Sequence, residues 1–239
     1  MANKSKYLSN THLAEMVDIS EGRVVNTIAI DKFGYNSAVG SVAYETVWDG
    51  NNLYTYIETA GTATVTSSNT SDDNGGIVHV EGLDANYNIV HELLTIGGSA
   101  GSVQFYRVFR ASLVTANTGS TNSGDITITV DSKDAAIITA GEGQTLMALY
   151  TIPAKYTGYL MQLDVGCAKD LETTARVTIK NGTGGPFQTK MFLTARGGFN
   201  EKDFKIPVRI PEKHDLEVQC KASATSAISA GFELLLVRK

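Results

Sequence analysis

Apolar residues alternate with polar ones in many short segments along the chain. Three clear examples are "GDITITVDS", "TTARVTIKNG" and "HDLEVQCKASA", each bounded by Gly, Asn, Asp or Ser. Strict alternation over a few residues predicts a β-strand with one buried face. No stretch of helical period separates neighbouring segments, and this favours a sandwich or jelly roll over any α/β arrangement. We therefore predict an all-β protein made of antiparallel, jelly-roll-like β-sandwiches.

Turn signals divide these segments into two predicted domains that follow a short N-terminal arm. The arm comprises residues 1–22, the first β-sandwich residues 23–140, and the second, jelly-roll-like sandwich residues 141–239. The boundary is placed between Asp131 and Gly143, where turn residues flank a short apolar piece. The segment "FELLLV" near the C-terminus predicts a strand that is buried on both faces.

Charge and proline also differ between the two predicted domains. Residues 1–140 contain 7 Lys and Arg against 15 Asp and Glu, a net charge of −8, whereas residues 141–239 contain 13 against 10, a net charge of +3. All four prolines fall in the second part. A change of composition of this kind supports separate folding units.

The arm contains one short segment with a helical pattern, "THLAEMVDISEG". Thr11 is a candidate N-cap, Leu13, Met16 and Val17 form a small apolar face, and Gly22 is a candidate stop. A helix this short is marginal unless it packs on something. Two interpretations stay open with equal weight: a terminal turn that lies on its own domain, and an extension that contacts a neighbouring subunit.

Overall composition excludes several partners and compartments. The net charge of the 239 residues is −5, and no basic stripe is interleaved with aromatic residues, so nucleic acid is not expected as a partner. No apolar run approaches the length needed to span a bilayer, and the N-terminus lacks the apolar core of a signal peptide. We expect no membrane association and no Sec export. Cys167 and Cys220 are expected to be free thiols, because a small oxidised scaffold would contain more cysteines.

Metal-binding patterns in the sequence are weak. His79 and His91 lie in neighbouring strand patterns and could approach each other beside Glu81 or Glu92 as zinc ligands. The favoured interpretation is a pair of half-exposed strand histidines. The loop "SNTSDDNGG" clusters Asp72, Asp73 and Asn74, but it lacks calcium-loop spacing, so a solvated hairpin loop is favoured over a calcium site.

The sequence also offers no catalytic constellation. The Gly-rich pieces "NGTGGPF" and "GEGQ" lack a Lys-Ser/Thr pair and open no helix, so they are interpreted as turns rather than phosphate loops. No Ser lies in a nucleophile elbow, and no Cys has a flanking His or Asn motif. We assign no catalytic residue, metal or cofactor, and expect the protein not to be an enzyme.

An aromatic segment is the strongest candidate for a binding surface. Tyr44, Trp48, Tyr54 and Tyr56 lie in "YETVWDGNNLYTY" and could stack on sugars or anchor a protein interface. Core packing is the default expectation for at least two of them.

Longer strings of the chain resemble a known class of proteins. The strings "KFGYNSAVGSVAYETVWDGNNLYTYI", "FYRVFRASLVTANTGSTNSGDITITV", "AGEGQTLMALYTIPAKYTGYL" and "FQTKMFLTARGGFNEKDFKIPVRIPEKHDLEVQC" are similar, in this order, to virion structural proteins of tailed bacteriophages, particularly marine and cyanobacterial ones. The resemblance covers nearly the whole chain after the arm. It implies a non-enzymatic component of the particle, and it says less about whether that component belongs to the head, the neck or the tail.

The resemblance and the residue patterns together lead to one functional expectation. We expect a capsid decoration or cement-type protein of the virion that contacts the major capsid protein or other virion subunits, through the arm and the aromatic segment. It is expected to form a homo-oligomer, such as a trimer. Alternatives are a neck, baseplate or fibre-anchoring protein and, from another class, a carbohydrate- or receptor-binding β-sandwich. An enzyme such as a glycosidase ranks last, because no carboxylate pair stands out.

Overall fold

The computed structural model describes residues 11–239, and the side chains from residue 15 onward except that of Met16. The fold is an all-β sandwich fold, as predicted, with several antiparallel sheets and two short helices in this part of the chain. The helices are α1 (Thr11–Ser20) and α2 (Thr70–Asp73). The strands are β1 (Thr27–Val39), β2 (Glu45–Thr46), β3 (Gly61–Thr62), β4 (Thr64–Ser67), β5 (Ile77–Leu83), β6 (Ile89–Thr95), β7 (Gln104–Phe105), β8 (Arg107–Thr115), β9 (Ile126–Val130), β10 (Lys133–Ile138), β11 (Leu149–Thr151), β12 (Tyr156–Cys167), β13 (Glu172–Asn181), β14 (Gln188–Arg196), β15 (Phe199–Ile210), β16 (His214–Ala222) and β17 (Ser226–Arg238).

Two antiparallel sheets form the main sandwich. The front sheet has the strand order β1-β17-β12-β15, and the back sheet has the order β11-β16-β13-β14, with β2 paired to β16. Alternation along each strand turns one set of side chains toward the space between the sheets. Leu163 and Phe232 of the front sheet and Val177 and Val218 of the back sheet belong to the resulting core. Burying each such side chain contributes about 1.5–3 kcal/mol.

Strand β17 departs from its prediction. Phe232, Leu234 and Leu236 are buried, whereas Glu233 is exposed and Leu235 is half-buried. The expectation of a strand buried on both faces is therefore wrong. The reason is that alternate positions of β17 lie on the outer face of the front sheet, which no other sheet within residues 11–239 covers.

A second group of strands lies between β2 and β11 in the sequence. It contains a sheet of order β10-β9-β4, a sheet of order β6-β5-β8, and the short pair β3-β7. Strand β9 shows the predicted alternation, because Ile126, Ile128 and Val130 are buried and the threonines between them are half-buried.

Strand pairing crosses the predicted boundary at residue 140. Strand β1 pairs with β17 along almost its whole length, from Thr27 opposite Val237 to Val39 opposite Ser226. Strand β2 pairs with β16. Residues 27–46 therefore contribute strands to the main sandwich, although the sequence placed them in the first domain. The division of the chain into two domains stays a prediction.

Both cysteines are free, as predicted. Cys220 is buried on β16 and Cys167 is half-buried on β12, so the two belong to different sheets. Burial raises the pKa of the Cys220 thiol above its ordinary value. Among the described residues, no helix is long and apolar enough to cross a lipid bilayer.

Candidate functional site

Three of the four predicted aromatic residues form a buried stack. The ring centroids of Trp48 and Tyr54 lie 5.0 Å apart and those of Tyr54 and Tyr56 4.9 Å apart, both in T-shaped geometry. Trp48 Nε1 donates to the carbonyl of Asn52 (2.9 Å), and the Tyr54 hydroxyl donates to the carbonyl of Ala135 (2.9 Å). These polar groups therefore have partners inside the protein.

The burial of three rings confirms the default expectation of core packing for at least two of the four residues, and it does not support an exposed surface made of all four. Trp48, Tyr54 and Tyr56 are each less than a tenth exposed. The stack lies between the back sheet, where Tyr56 contacts Glu217, and β10, where Tyr54 contacts Ala135. Tyr44 is half-buried and lies apart from the stack, with the Arg176 guanidinium 4.0 Å from its ring centroid. Of the four, Tyr44 alone retains substantial exposed surface.

A buried ion pair fastens the stack to the back sheet. Arg107 donates from Nε and Nη2 to the two carboxylate oxygens of Asp215, at 2.8 and 3.0 Å. Its remaining donors reach the carbonyls of Ile57 (3.1 Å), Tyr106 (2.7 Å) and Gly182 (3.1 Å). Burial lowers the pKa of Arg107, but its bonds to Asp215 outweigh this effect and keep the pKa above its ordinary value. Sequence reasoning missed this pair, because its members are far apart in the chain.

A second buried acid lies beside it. Glu217 accepts a hydrogen bond from the Tyr56 hydroxyl (3.3 Å) and one from the Gln219 amide. Burial raises the pKa of Glu217 to about 7, and the hydrogen bonds from Gln219 and Tyr56 only partly oppose this shift. Asp215, Glu217 and Gln219 are alternate residues of β16, so all three point to the outer side of the back sheet.

The arm helix lies along the front sheet. α1 packs against β1, and a groove of about 390 Å³ between them is lined by Val17, Ala29, Met161 and Leu235. Val17, one of the predicted contact residues, is half-buried there. Leu13 and Met16 belong to the helix, but their side chains lie outside the described residues. The helix ends at Ser20, and Gly22 follows with a φ of +69°, as expected for a glycine stop.

The outer face of the front sheet, here called the front face, exposes large apolar side chains. Phe33 and Tyr35 on β1 are 43% and 42% exposed, and Phe199 on β15 is 65% exposed. The strand register aligns Tyr35 and Phe199 in one row across the sheet, separated by two small residues. Strands are about 4.8 Å apart, so these two aromatic residues stand about 14 Å apart at their backbones.

Acidic residues occupy the centre of the front face. Asp31 lies directly opposite Glu233, and the same row continues through Gln162 to Asp203. Burial, followed by the charge of Asp31, raises the pKa values of Asp164 and Glu233.

The two predicted histidines do come together. The ring centroids of His79 and His91 are 5.4 Å apart on the paired strands β5 and β6, and His79 Nδ1 lies 3.4 Å from Glu81 Oε1. Glu92 instead accepts three hydrogen bonds from Ser102 and Val103. The part of the chain that the structure describes contains no group of three His, Cys, Asp or Glu side chains that could hold a metal ion.

The acidic loop is not a solvated hairpin. Its residues form α2, and the buried Asp73 accepts hydrogen bonds from the Ser67 hydroxyl (2.6 Å) and from the backbone of Ser123 and Gly124 (2.8 Å each). Burial raises the pKa of Asp73, but these hydrogen bonds outweigh burial and hold the pKa below its ordinary value. The carboxylate therefore anchors a neighbouring loop, which corrects the expectation from the sequence.

The Gly-rich turn "NGTGGPF" borders two cavities. On one side a groove of about 350 Å³, here called the cationic groove, is lined by Lys180, Lys190, Arg209 and His214 among other residues. On the other side a cleft of about 380 Å³, here called the aromatic cleft, is lined by rings that include Tyr56 and Phe187. Lys180 and Gly184 line both. The prediction of a turn is confirmed by its hydrogen bond from Gly184 N to the carbonyl of Asn181 (3.0 Å), whereas the cavities were not predicted.

Comparison with known proteins identifies no family. A scan against protein-family models finds no match, and a search of curated proteins finds none either. Among solved structures, the chain is similar to a point mutant of the VP2 protein of infectious bursal disease virus from derived T=1 particles, with 12% identity, a TM-score of 0.24, and coverage of 89% of this chain and 70% of that one. It is similar also to the structure of the Gx strain of infectious bursal disease virus, with 11% identity, a TM-score of 0.23, and coverage of 89% and 72%.

Proposed function

We propose that the protein is a non-enzymatic structural component of a virion, and specifically a capsid decoration or cement-type protein. Its partners are the major capsid protein or other virion subunits, and a homo-oligomer such as a trimer is its working form. The ordered resemblance to virion proteins of tailed bacteriophages supports the virion assignment. The geometry supports a role in assembly.

One observation carries the proposal, namely the apolar front face. Phe33, Tyr35 and Phe199 are exposed on a sheet that no other sheet of the described chain covers. Large exposed apolar and aromatic side chains are typical of protein interfaces, and aromatic residues are enriched at interface cores. A subunit that packs on this face would bury them.

The position of the arm extends this surface. Because α1 lies along β1, Val17 stands beside the front face rather than at a distant site. We propose that a neighbouring subunit contacts the helix and the front face together.

The test is the number of copies of this chain in purified virions, relative to the major capsid protein, by quantitative mass spectrometry. A decoration or cement protein gives a ratio near one or a simple fraction such as one third. A ratio of a few rings per particle would instead assign the chain to the neck, baseplate or fibre attachment, and absence from virions would contradict the proposal.

The alternative of a carbohydrate- or receptor-binding module through the aromatic segment loses support, because Trp48, Tyr54 and Tyr56 are buried. A neutral host surface polysaccharide should therefore leave Trp48 fluorescence unchanged. Quenching that saturates with polysaccharide would restore this alternative.

A further inference from the structure

We infer that the cationic groove binds the acidic group of a charged saccharide, with the sugar ring resting in the adjoining aromatic cleft. This site lies at the turn between β13 and β14, on residues that the proposed virion role does not use.

The cationic groove is lined by basic side chains. The described residues that line the groove include Lys180, Lys190, Arg209 and His214, and none of them carries a carboxylate. Among residues 11–239, the ion pairs do not include Lys180, Lys190 or Arg209. Lys180 also interacts with the charge of the buried Glu217, so Lys190 and Arg209 carry the charge that a ligand could neutralise. Cations of this kind on one concave surface favour an anionic ligand.

Two aromatic rings hold the Lys180 side chain in place before any ligand binds. The Lys180 ammonium lies 4.3 Å from the ring centroid of Tyr56 and 4.9 Å from that of Phe187. These cation–π contacts hold the charge at the junction of groove and cleft. A ligand that binds there does not have to order a free lysine side chain, which reduces the cost of binding.

The turn between β13 and β14 contains two glycines with positive φ. Gly184 and Gly185 have φ values of +132° and +110°, where a residue with a Cβ would be strained. No atom lies within 4 Å of a Cβ built at either position. Open space therefore surrounds both glycines where the turn borders the groove, and Gly184 borders the cleft as well.

The chemistry of the cleft favours a sugar over a simple anion. Phe187 is 39% exposed, so its ring offers an apolar surface on which the C–H face of a sugar can rest. Glu58, which also lines the cleft, can accept hydrogen bonds from sugar hydroxyls. Each cavity alone reaches the lower end of the size range of ligand pockets. A nucleic acid fits less well, because the whole chain carries a net charge of −5.

The test uses the full chain and isothermal titration calorimetry. The acidic probes are trigalacturonate and a sulfated galactose trisaccharide, and the comparison ligands are methyl-esterified trigalacturonate, inorganic sulfate and an oligo-dT. We expect at least one acidic trisaccharide to bind about tenfold more tightly than each comparison ligand.

Variants locate the binding. The double variant Lys190→Gln, Arg209→Gln should weaken binding about tenfold, and Phe187→Ala should weaken it several-fold. The matched control is Lys202→Gln, Lys205→Gln, which removes the same charge from exposed positions of β15 outside the groove and should leave affinity within about twofold. All variants should melt near the wild-type temperature, because the substituted side chains lie at the surface.

Four results would overturn the inference. They are the binding of neither acidic trisaccharide, equal binding of the neutral ester, binding of sulfate or oligo-dT as tight as that of the trisaccharide, and equal weakening by the control pair. The last result would indicate unspecific attraction to the positively charged hairpin of β14 and β15.

Discussion

The two outer faces of the main sandwich are built from the same kind of strand, but one face is buried under other parts of the chain and the other is largely exposed. On the back sheet the outward residues of β16 are Asp215, Glu217 and Gln219, and all three are buried. On the front sheet the corresponding outward residue of β17, Glu233, is exposed. The difference lies in what covers each face, because the aromatic stack and Arg107 cover the back face, whereas α1 borders the front face and leaves most of it uncovered.

The two faces therefore differ in what they contribute to the protein. The chain supplies its own cover for the back face, and polar groups there are satisfied by partners from distant parts of the sequence. The front face keeps a row of acids, among them Asp31 and Glu233, and exposed aromatic rings. We conclude that the back face contributes mainly to folding, and we propose that the front face contributes mainly to contact with another subunit.

The largest effect on stability is expected at the covered face. Arg107→Met leaves the Asp215 carboxylate buried without its partner and should lower the free energy of unfolding by about 3–5 kcal/mol. The matched control is Arg196→Met, which breaks the exposed ion pair with Glu172. This variant should change the free energy of unfolding by at most about 1 kcal/mol. Urea denaturation measures both. Similar losses in the two variants would contradict the claim that the back face holds the fold together.

The next effect depends on pH. The pKa of Glu217 is about 7 in the folded protein against an ordinary 4.5, so between these values the folded state holds a proton that the unfolded state has released. The contribution of this bound proton to the free energy of unfolding is complete below pH 4.5 and is lost as the pH rises through 7. Glu217→Gln removes the ionisable group. The free energy of unfolding of the variant, relative to that of the wild type, should therefore rise by about 3 kcal/mol when the pH is raised from 4.5 to 8.

Urea denaturation at these two pH values tests the prediction. A difference between variant and wild type that stays constant with pH would show that Glu217 does not hold the proton. The exposed Glu201→Gln on the front face is the control, and its effect should stay within about 0.5 kcal/mol.

A smaller gain in stability is expected at the uncovered face. Glu233→Gln removes a negative charge directly opposite Asp31 and should raise the free energy of unfolding by about 0.5 kcal/mol at pH 7. The gain should disappear in 1 M NaCl, where the screening length is about 3 Å. A loss of stability at low salt would mean that the carboxylate has a favourable partner.

The sequence predicted the strands well and the coverage of the sheets poorly. Alternation in "DITITV" and "DLEVQC" marks β9 and β16 correctly, because burial of one face is a local pattern. Alternation alone also assigns Asp215, Glu217 and Gln219 to solvent. They are buried because Arg107 and Tyr56, which lie more than a hundred residues earlier, pack over them, and no local pattern reports such a contact.

The same limit applies to the aromatic segment. Trp48, Tyr54 and Tyr56 have the composition of a binding surface, and only the three-dimensional arrangement shows that they form a cover. The pairing of β1 with β17 likewise joins the two ends of the described chain. The sequence does contain one local signal for the cationic groove, because Lys180 immediately precedes the Gly-rich turn and Lys190 follows it at the start of β14.

The most direct test of the front face is competitive incorporation into particles. Wild-type protein and the variant Phe33→Ser, Phe199→Ser are supplied in equal amounts during assembly, and their copies per virion are counted by mass spectrometry. The control variant is Ile89→Ser, Leu93→Ser, which changes two exposed apolar residues of β6 away from that face. We predict about tenfold fewer copies of the front-face variant and near-equal incorporation of the control. Equal incorporation of the front-face variant and the wild type would contradict the proposal that this face binds a neighbouring subunit.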